Sequence, residues 1–399
     1  MKLKLKFNRD KVISLAIMSS FFVLTFQYLI LTSFNLIDTS LGAQIQLTSK
    51  AIVGIFYLIA LPFVLKRNKV FFLGTYSFSI FIFLLTYFIF PQNTQHIQAN
   101  LFSHFFVALP SFIYAFSIND FNELKKIMKK AGFGVFVIGT TISALVFLGE
   151  SSVGSYSMSL SYYMLLPLLI YTDKLFKKNN FIDLLVVFIS LIIILALGSR
   201  GALLCYLVFL FYRFVFVKEK LTAKRLVIYI TGFFAGTTAL LFYRQILELA
   251  YNVLLNFDIR SRTLSLFMRE EIYLSGREDL YNIIIKQIGE NPLLGIGLFG
   301  DRRFIGGYVH NIFLELWAHF GIIIGSSLII LLLLVIYKVL IKNKNKVTAN
   351  FMAIWFSMGF VHLLVSSSYI TDFKFWIFLG LSLNLISFNF RGKNNKSEI

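Results

Sequence analysis

The sequence predicts an all-α polytopic membrane protein of about 12 transmembrane helices, with one large external loop containing amphipathic helices. Three observations predict it. Of 399 residues, 58% are hydrophobic and only 14% charged, where soluble proteins carry about 25% charged residues. Apolar runs of spanning length recur along the chain, and the short segments between them alternate between lysine-rich and lysine-poor. At about 20 apolar residues per span, twelve spans use roughly 240 positions. That leaves a single membrane domain, residues 1–399, with space for one sizeable loop.

In order, the runs are 12–34, 46–65, 70–90, 97–118, 131–149, 157–172, 181–197, 201–217, 226–243, 311–337, 347–368 and 373–390. Irregular backbone cannot face lipid, so each is expected to be helical, with Pro62, Pro110 and Pro167 producing kinks at most. The first run follows the basic stretch MKLKLKFNRDK without a small-residue cleavage site, and reads as an uncleaved helix. Cys205 is the only cysteine and lies inside a run, which excludes a disulfide framework and a cysteine metal cluster.

The formal net charge is +19, a value that on a soluble domain would suggest a nucleic-acid partner. Its distribution argues for topology instead. With both termini placed on the cytoplasmic side, segments 1–11, 66–69, 119–130, 173–180, 213–225, 338–346 and 391–399 hold 27 of the 38 basic residues, the bias that orients membrane proteins. Of the eleven external basic residues, eight are Arg and three Lys, whereas inside Lys outnumbers Arg by 22 to 5. Arg presents a planar fork suited to bidentate phosphate contact. The external face therefore reads as an anion site, and no nucleic-acid partner is expected.

Residues 244–309 form the one long loop, and loops of this length are usually functional. Helices are expected near 245–257 and 276–289, the second with Leu280, Ile283, Ile284 and Ile288 on one face. Ser275 and Glu278 have the spacing of a capping box, which puts Arg277 in the first turn, where backbone N–H groups and the dipole attract phosphate. The alternative is a merely capped surface helix. Arg200, in LGSRGALL, stands at the external start of the eighth span; the alternative is an Arg snorkelling to the interface. His310, in GYVHNIFLELWAHFG, stands at the start of the tenth span, where a neutral imidazole can serve as general base; the alternative is a packed interfacial histidine. His96, His104, His319 and His362 have weaker surroundings. No HExxH spacing or acidic cluster is evident, so neither metal nor cofactor is expected. Arg302 and Arg303 are secondary candidates for substrate binding. Pro292, Gly295, Gly297, Gly306 and Gly307 would turn the chain back to the membrane before His310.

The ordered set SRGALL, GREDLY, NPLLGIG, HNIFLEL and FGIIIG, covering residues 180–330, resembles the O-antigen ligase and O-antigen polymerase superfamily. The resemblance implies an undecaprenyl-diphosphate-linked oligosaccharide as donor, with Arg200 and Arg277 on its diphosphate and His310 activating the acceptor hydroxyl. It also implies an architecture similar to the metal-independent GT-C-type membrane glycosyltransferases, in a bacterial plasma membrane. Polymerisation of lipid-linked repeat units into surface polysaccharide, O-antigen or capsule, is the reading preferred, beside other polysaccharide-assembly proteins. Ligase-type transfer to a separate glycolipid or protein shares the same donor half. The rival from another class is a transporter or flippase of an anionic substrate, for which internal repeats and mid-membrane charges would be expected. Neither is apparent, and the charged residues read as lying at span ends.

Overall fold

The computed structural model describes residues 8–147, 158–216, 243–256 and 277–394, apart from positions 38, 179, 198 and 344. Helix is the only regular structure among them. Among the described residues, five helical runs are long and apolar enough to cross a membrane, with two shorter apolar helices at Phe181–Leu197 and Phe373–Ser387. The chain is an all-α multi-pass membrane protein. Most of the predicted ninth span, and the capping residue Ser275, lie outside the described residues.

The helices are α1 (Arg9–Ser33), α2 (Ser40–Ile89), α3 (Thr94–Ser103), α4 (Leu109–Phe116), α5 (Phe121–Phe147), α6 (Met158–Lys177), α7 (Phe181–Leu197) and α8 (Arg200–Phe216). Then follow α9 (Tyr243–Leu255), α10 (Arg277–Glu290), α11 (Gly300–Ile305), α12 (Ile312–Ile336), α13 (Lys346–Trp355) and α14 (Phe373–Asn394). Wider π turns at His104–Ala108, Tyr337–Ile341 and Phe356–Val361 continue α3 into α4, extend α12 and extend α13. The runs 46–65 and 70–90 are one helical element, α2, broken only at Asn68 (φ −141°, ψ 44°), inside the predicted basic loop 66–69.

Two compact units divide the chain. The larger comprises residues 1–24, 44–133 and 274–399. One end of it is tied by polar contacts. Arg67 forks onto both oxygens of Asp10 at 2.7 and 2.9 Å and donates to the Ser117 carbonyl at 2.8 Å. Asn68 reaches the Ser117 hydroxyl, and Asn384 of α14 donates to the carbonyls of Phe116 and Ile118. A bidentate charged pair is among the stronger hydrogen-bonded contacts; here it fastens the start of α1 to α2, and its two members also bond the α4–α5 turn through the Ser117 carbonyl and the Asn119 N–H. The backbone released at Asn68 thus stands where three predicted basic segments meet.

The smaller unit comprises residues 25–43 and 134–273. Its end contacts are ionic as well: Lys174 pairs with Asp183, and Asp173 with Lys177 and Arg213. These join the last turns of α6 and α8 to the first turn of α7, as an up–down–up arrangement requires.

Candidate functional site

Within the larger unit, the segment from α10 to the middle of α12 is built around backbone that glycine allows. Gly295 (φ 68°) and Gly321 (φ 74°) face each other across it. A methyl group added to Gly295 would lie 2.4 Å from the Ala318 carbonyl oxygen, and one added to Gly321 would lie 2.3 Å from that of Leu293. Gly321, with ψ 176°, interrupts α12. The polar groups exposed by the break are met by the loop: Ile296 N–H donates to the Ala318 carbonyl and Ile322 N–H to the Pro292 carbonyl, each at 2.7 Å. Asn93 secures the next residues by donating to the carbonyls of Ile296 and Leu298. NPLLGIG therefore does more than turn the chain; it docks on an interrupted helix and satisfies it.

His310 stands immediately before Asn311, the N-cap of α12, whose side chain accepts from the N–H groups of Phe313 and Leu314. Its own backbone is left-handed (φ 60°). The ring is 4.2 Å from that of Tyr308, and Nδ1 is buried without a hydrogen-bond partner among the described residues. Burial first, then the charges of Arg277 and His362, push the imidazole down to about 4. At neutral pH it is uncharged and able to accept a proton.

Arg277 is the first residue of α10 and half-buried. Its influence on the imidazole places it in the same neighbourhood as His310. Arg200 is the first residue of α8, in the smaller unit. Arg303 is exposed, its guanidinium 4.4 Å from the Phe304 ring centroid. Arg302 is buried: it pairs with Asp301 at 2.9 Å, donates to Ser368 at 3.1 Å and lies 4.5 Å over the ring of Phe299.

Arg302 belongs to a buried cluster that was not read from the sequence. Asp301, Glu315 and His319 bring their ligand atoms within 4.8 Å of one another. His319 Nε2 meets Asp301 at 3.1 Å and Nδ1 meets the Tyr369 hydroxyl at 3.0 Å. Glu315 accepts from the Ser368 hydroxyl and from the Tyr369 N–H. Burial raises the Asp301 carboxyl, but hydrogen bonding and proximity to His319 and Arg302 hold it below its usual range. The three side chains have the spacing to hold a cation, although guanidinium and imidazole already answer the carboxylates. Glu315 and His319 sit four residues apart on one face of α12, and a charge inside an apolar helix was the available signal. The reading that charges lie only at span ends does not extend to these residues. A second set comprises His362, whose Nδ1 is 2.9 Å from Asp372, and Lys374, 3.5 Å from the same carboxylate. Asp372 also accepts from the N–H groups of Lys374 and Phe375 at the start of α14.

Residues 185–329 match the family model described as O-antigen ligase. The matched stretch contains Arg200, Arg277, Arg302, Arg303, His310, Glu315 and His319, and it bears out the resemblance to the O-antigen ligase and polymerase superfamily. No curated protein and no solved structure matches the chain.

Proposed function

From that relationship we propose that the chain is a membrane glycosyltransferase acting on a polyprenyl-diphosphate-linked oligosaccharide. The observation that carries the proposal is His310, held on a left-handed backbone just before α12 and made less basic by burial and by Arg277, inside the O-antigen ligase match. An acceptor sugar hydroxyl attacks the anomeric carbon of the donor. The new bond joins the acceptor oxygen to that carbon, the bond from the carbon to the diphosphate oxygen breaks, and the hydroxyl proton passes to His310. Arg277 stabilises the charge that develops on the departing lipid diphosphate, the contribution that is often largest in such reactions.

Polymerisation and ligation differ only in the acceptor: another lipid-linked repeat in one, a separate glycolipid or protein in the other. The family match favours ligase-type transfer as the second reading. A ladder of product lengths in reconstituted membranes indicates polymerisation, and single transfer to an added acceptor indicates ligation.

The test of the common reading is single-turnover transfer from purified lipid-linked donor, with bound donor measured in parallel. General-base catalysis contributes typically 10²- to 10⁴-fold. His310→Ala should lose transfer by about that factor while retaining donor. Full transfer by this variant would refute the assignment and return weight to a carrier that binds an anion without chemistry.

A further inference from the structure

Independently of glycosyl transfer, we infer that the tip of the NPLLGIG loop, Leu293 and Leu294, is inserted into the hydrocarbon of the bilayer leaflet on the His310 side. These side chains are 65% and 62% exposed, in a turn closed by the Gly295 N–H donating to the Asn291 carbonyl at 2.9 Å. The turn does not stand free of the membrane helix. Ile322 N–H donates to the Pro292 carbonyl, and the Leu293 carbonyl oxygen lies where a Gly321 side chain would begin. The loop tip thus shares its height with the Gly321 break.

That height can be placed against the bilayer. From Ile322 to Ile341 the helical run is twenty residues long, about 30 Å at 1.5 Å per residue, the thickness of the hydrocarbon core. Lys338, Lys342 and Lys346 mark its far end. Ile322 then stands at the near hydrocarbon boundary, and Ile322, Ile323 and Ile324 are 45%, 64% and 49% exposed, as a lipid-facing surface demands. Leu293 and Leu294 stand next to that surface, because the Pro292 carbonyl is bonded to the Ile322 N–H. Two adjacent exposed leucines on a turn otherwise cost solvation, whereas acyl chains cover them. The occupant of this patch is therefore bilayer hydrocarbon, by continuity with the span it adjoins.

The test uses the full chain in liposomes, with single cysteines introduced by Leu293→Cys, Leu294→Cys and Lys286→Cys in a Cys205→Ala background. Lys286 is an exposed position on α10 and serves as the aqueous control. Each is labelled with an environment-sensitive fluorophore and titrated with iodide in water or with phosphatidylcholine spin-labelled at a shallow acyl carbon. Expected are shorter-wavelength emission and loss of signal to the spin-labelled lipid at positions 293 and 294, with iodide quenching confined to 286. Iodide quenching of all three overturns the proposal. Shielding from both quenchers also overturns it, because a protein surface then covers the tip. Should the cysteine variants fold poorly, Leu294→Trp, measured with brominated lipid against the three native tryptophans, reads the same depth.

Discussion

At His310 the backbone adopts a left-handed conformation that non-glycine residues rarely take, and its ring carries a buried nitrogen with no partner among the described residues. Such strain persists where surroundings over-determine it and is concentrated at functional positions. The electrostatics lead to a pH prediction. A base must be deprotonated to act, and the His310 imidazole is held down to about 4, so kcat/KM should be level through neutral pH and fall only as acid approaches that value. Removing the Arg277 charge should move this limb in a known direction. In Arg277→Gln the imidazole regains basicity toward its ordinary value of about 6.5, so the limb shifts upward, while transfer falls roughly 10- to 100-fold through lost charge stabilisation. A pH–rate series on both proteins checks this; an acid limb unmoved by the substitution would separate Arg277 from His310.

Among the elements, α12 carries the most consequence and was only partly legible. Hydropathy located it, because FGIIIG and the leucine run after it are unmistakably apolar, and HN before IFLEL signalled its start. Its interruption was not legible. A glycine in an apolar helix usually reports close packing, and only the contact with Leu293, 28 residues earlier, requires the positive φ of Gly321. The cluster of Asp301, Glu315 and His319 was hidden for a similar reason, since α11 is separated from α12 by a loop whose path is tertiary. His319, read as having weaker surroundings, is at its centre. The element-scale prediction concerns the break. Gly321→Ala and Gly295→Ala each place a methyl against backbone oxygen, and strain of this kind costs on the order of 1–3 kcal/mol. Both should lower the melting midpoint in detergent. Gly74→Ala on α2 meets nothing within 4 Å and should match the parent. Parent-like melting of both loop variants would show that the break does not need glycine.

For the whole molecule, composition was enough to establish an all-helical membrane protein, and the alternation of basic segments anticipated which helix ends gather. Asp10 and Arg67, from two segments predicted on the same side, meet in the larger unit; Asp173 and Arg213 do so in the smaller. Orientation across the membrane is a prediction that the positive-inside bias makes directly. In a Cys205→Ala background, a cysteine at Asn256 should react with an impermeant thiol reagent added outside intact cells, and one at Asn343 should react only after permeabilisation. The reverse pattern would put His310 and Arg277 in the cytoplasm, away from the proposed donor.

The break at Gly321 has a further consequence, visible in the exchange of amide protons with deuterated solvent. Ends of helices ordinarily fray, and their amides exchange soon after transfer to heavy water. Ile322 opens the second half of α12, and Ile296 lies in a loop, yet each donates at 2.7 Å to a carbonyl of the other segment. Opening either amide requires the loop and the helix to part together. The two should therefore exchange at one shared, slow rate, well behind the amide of Leu294 on the same turn, and Gly321→Ala should hasten both in parallel.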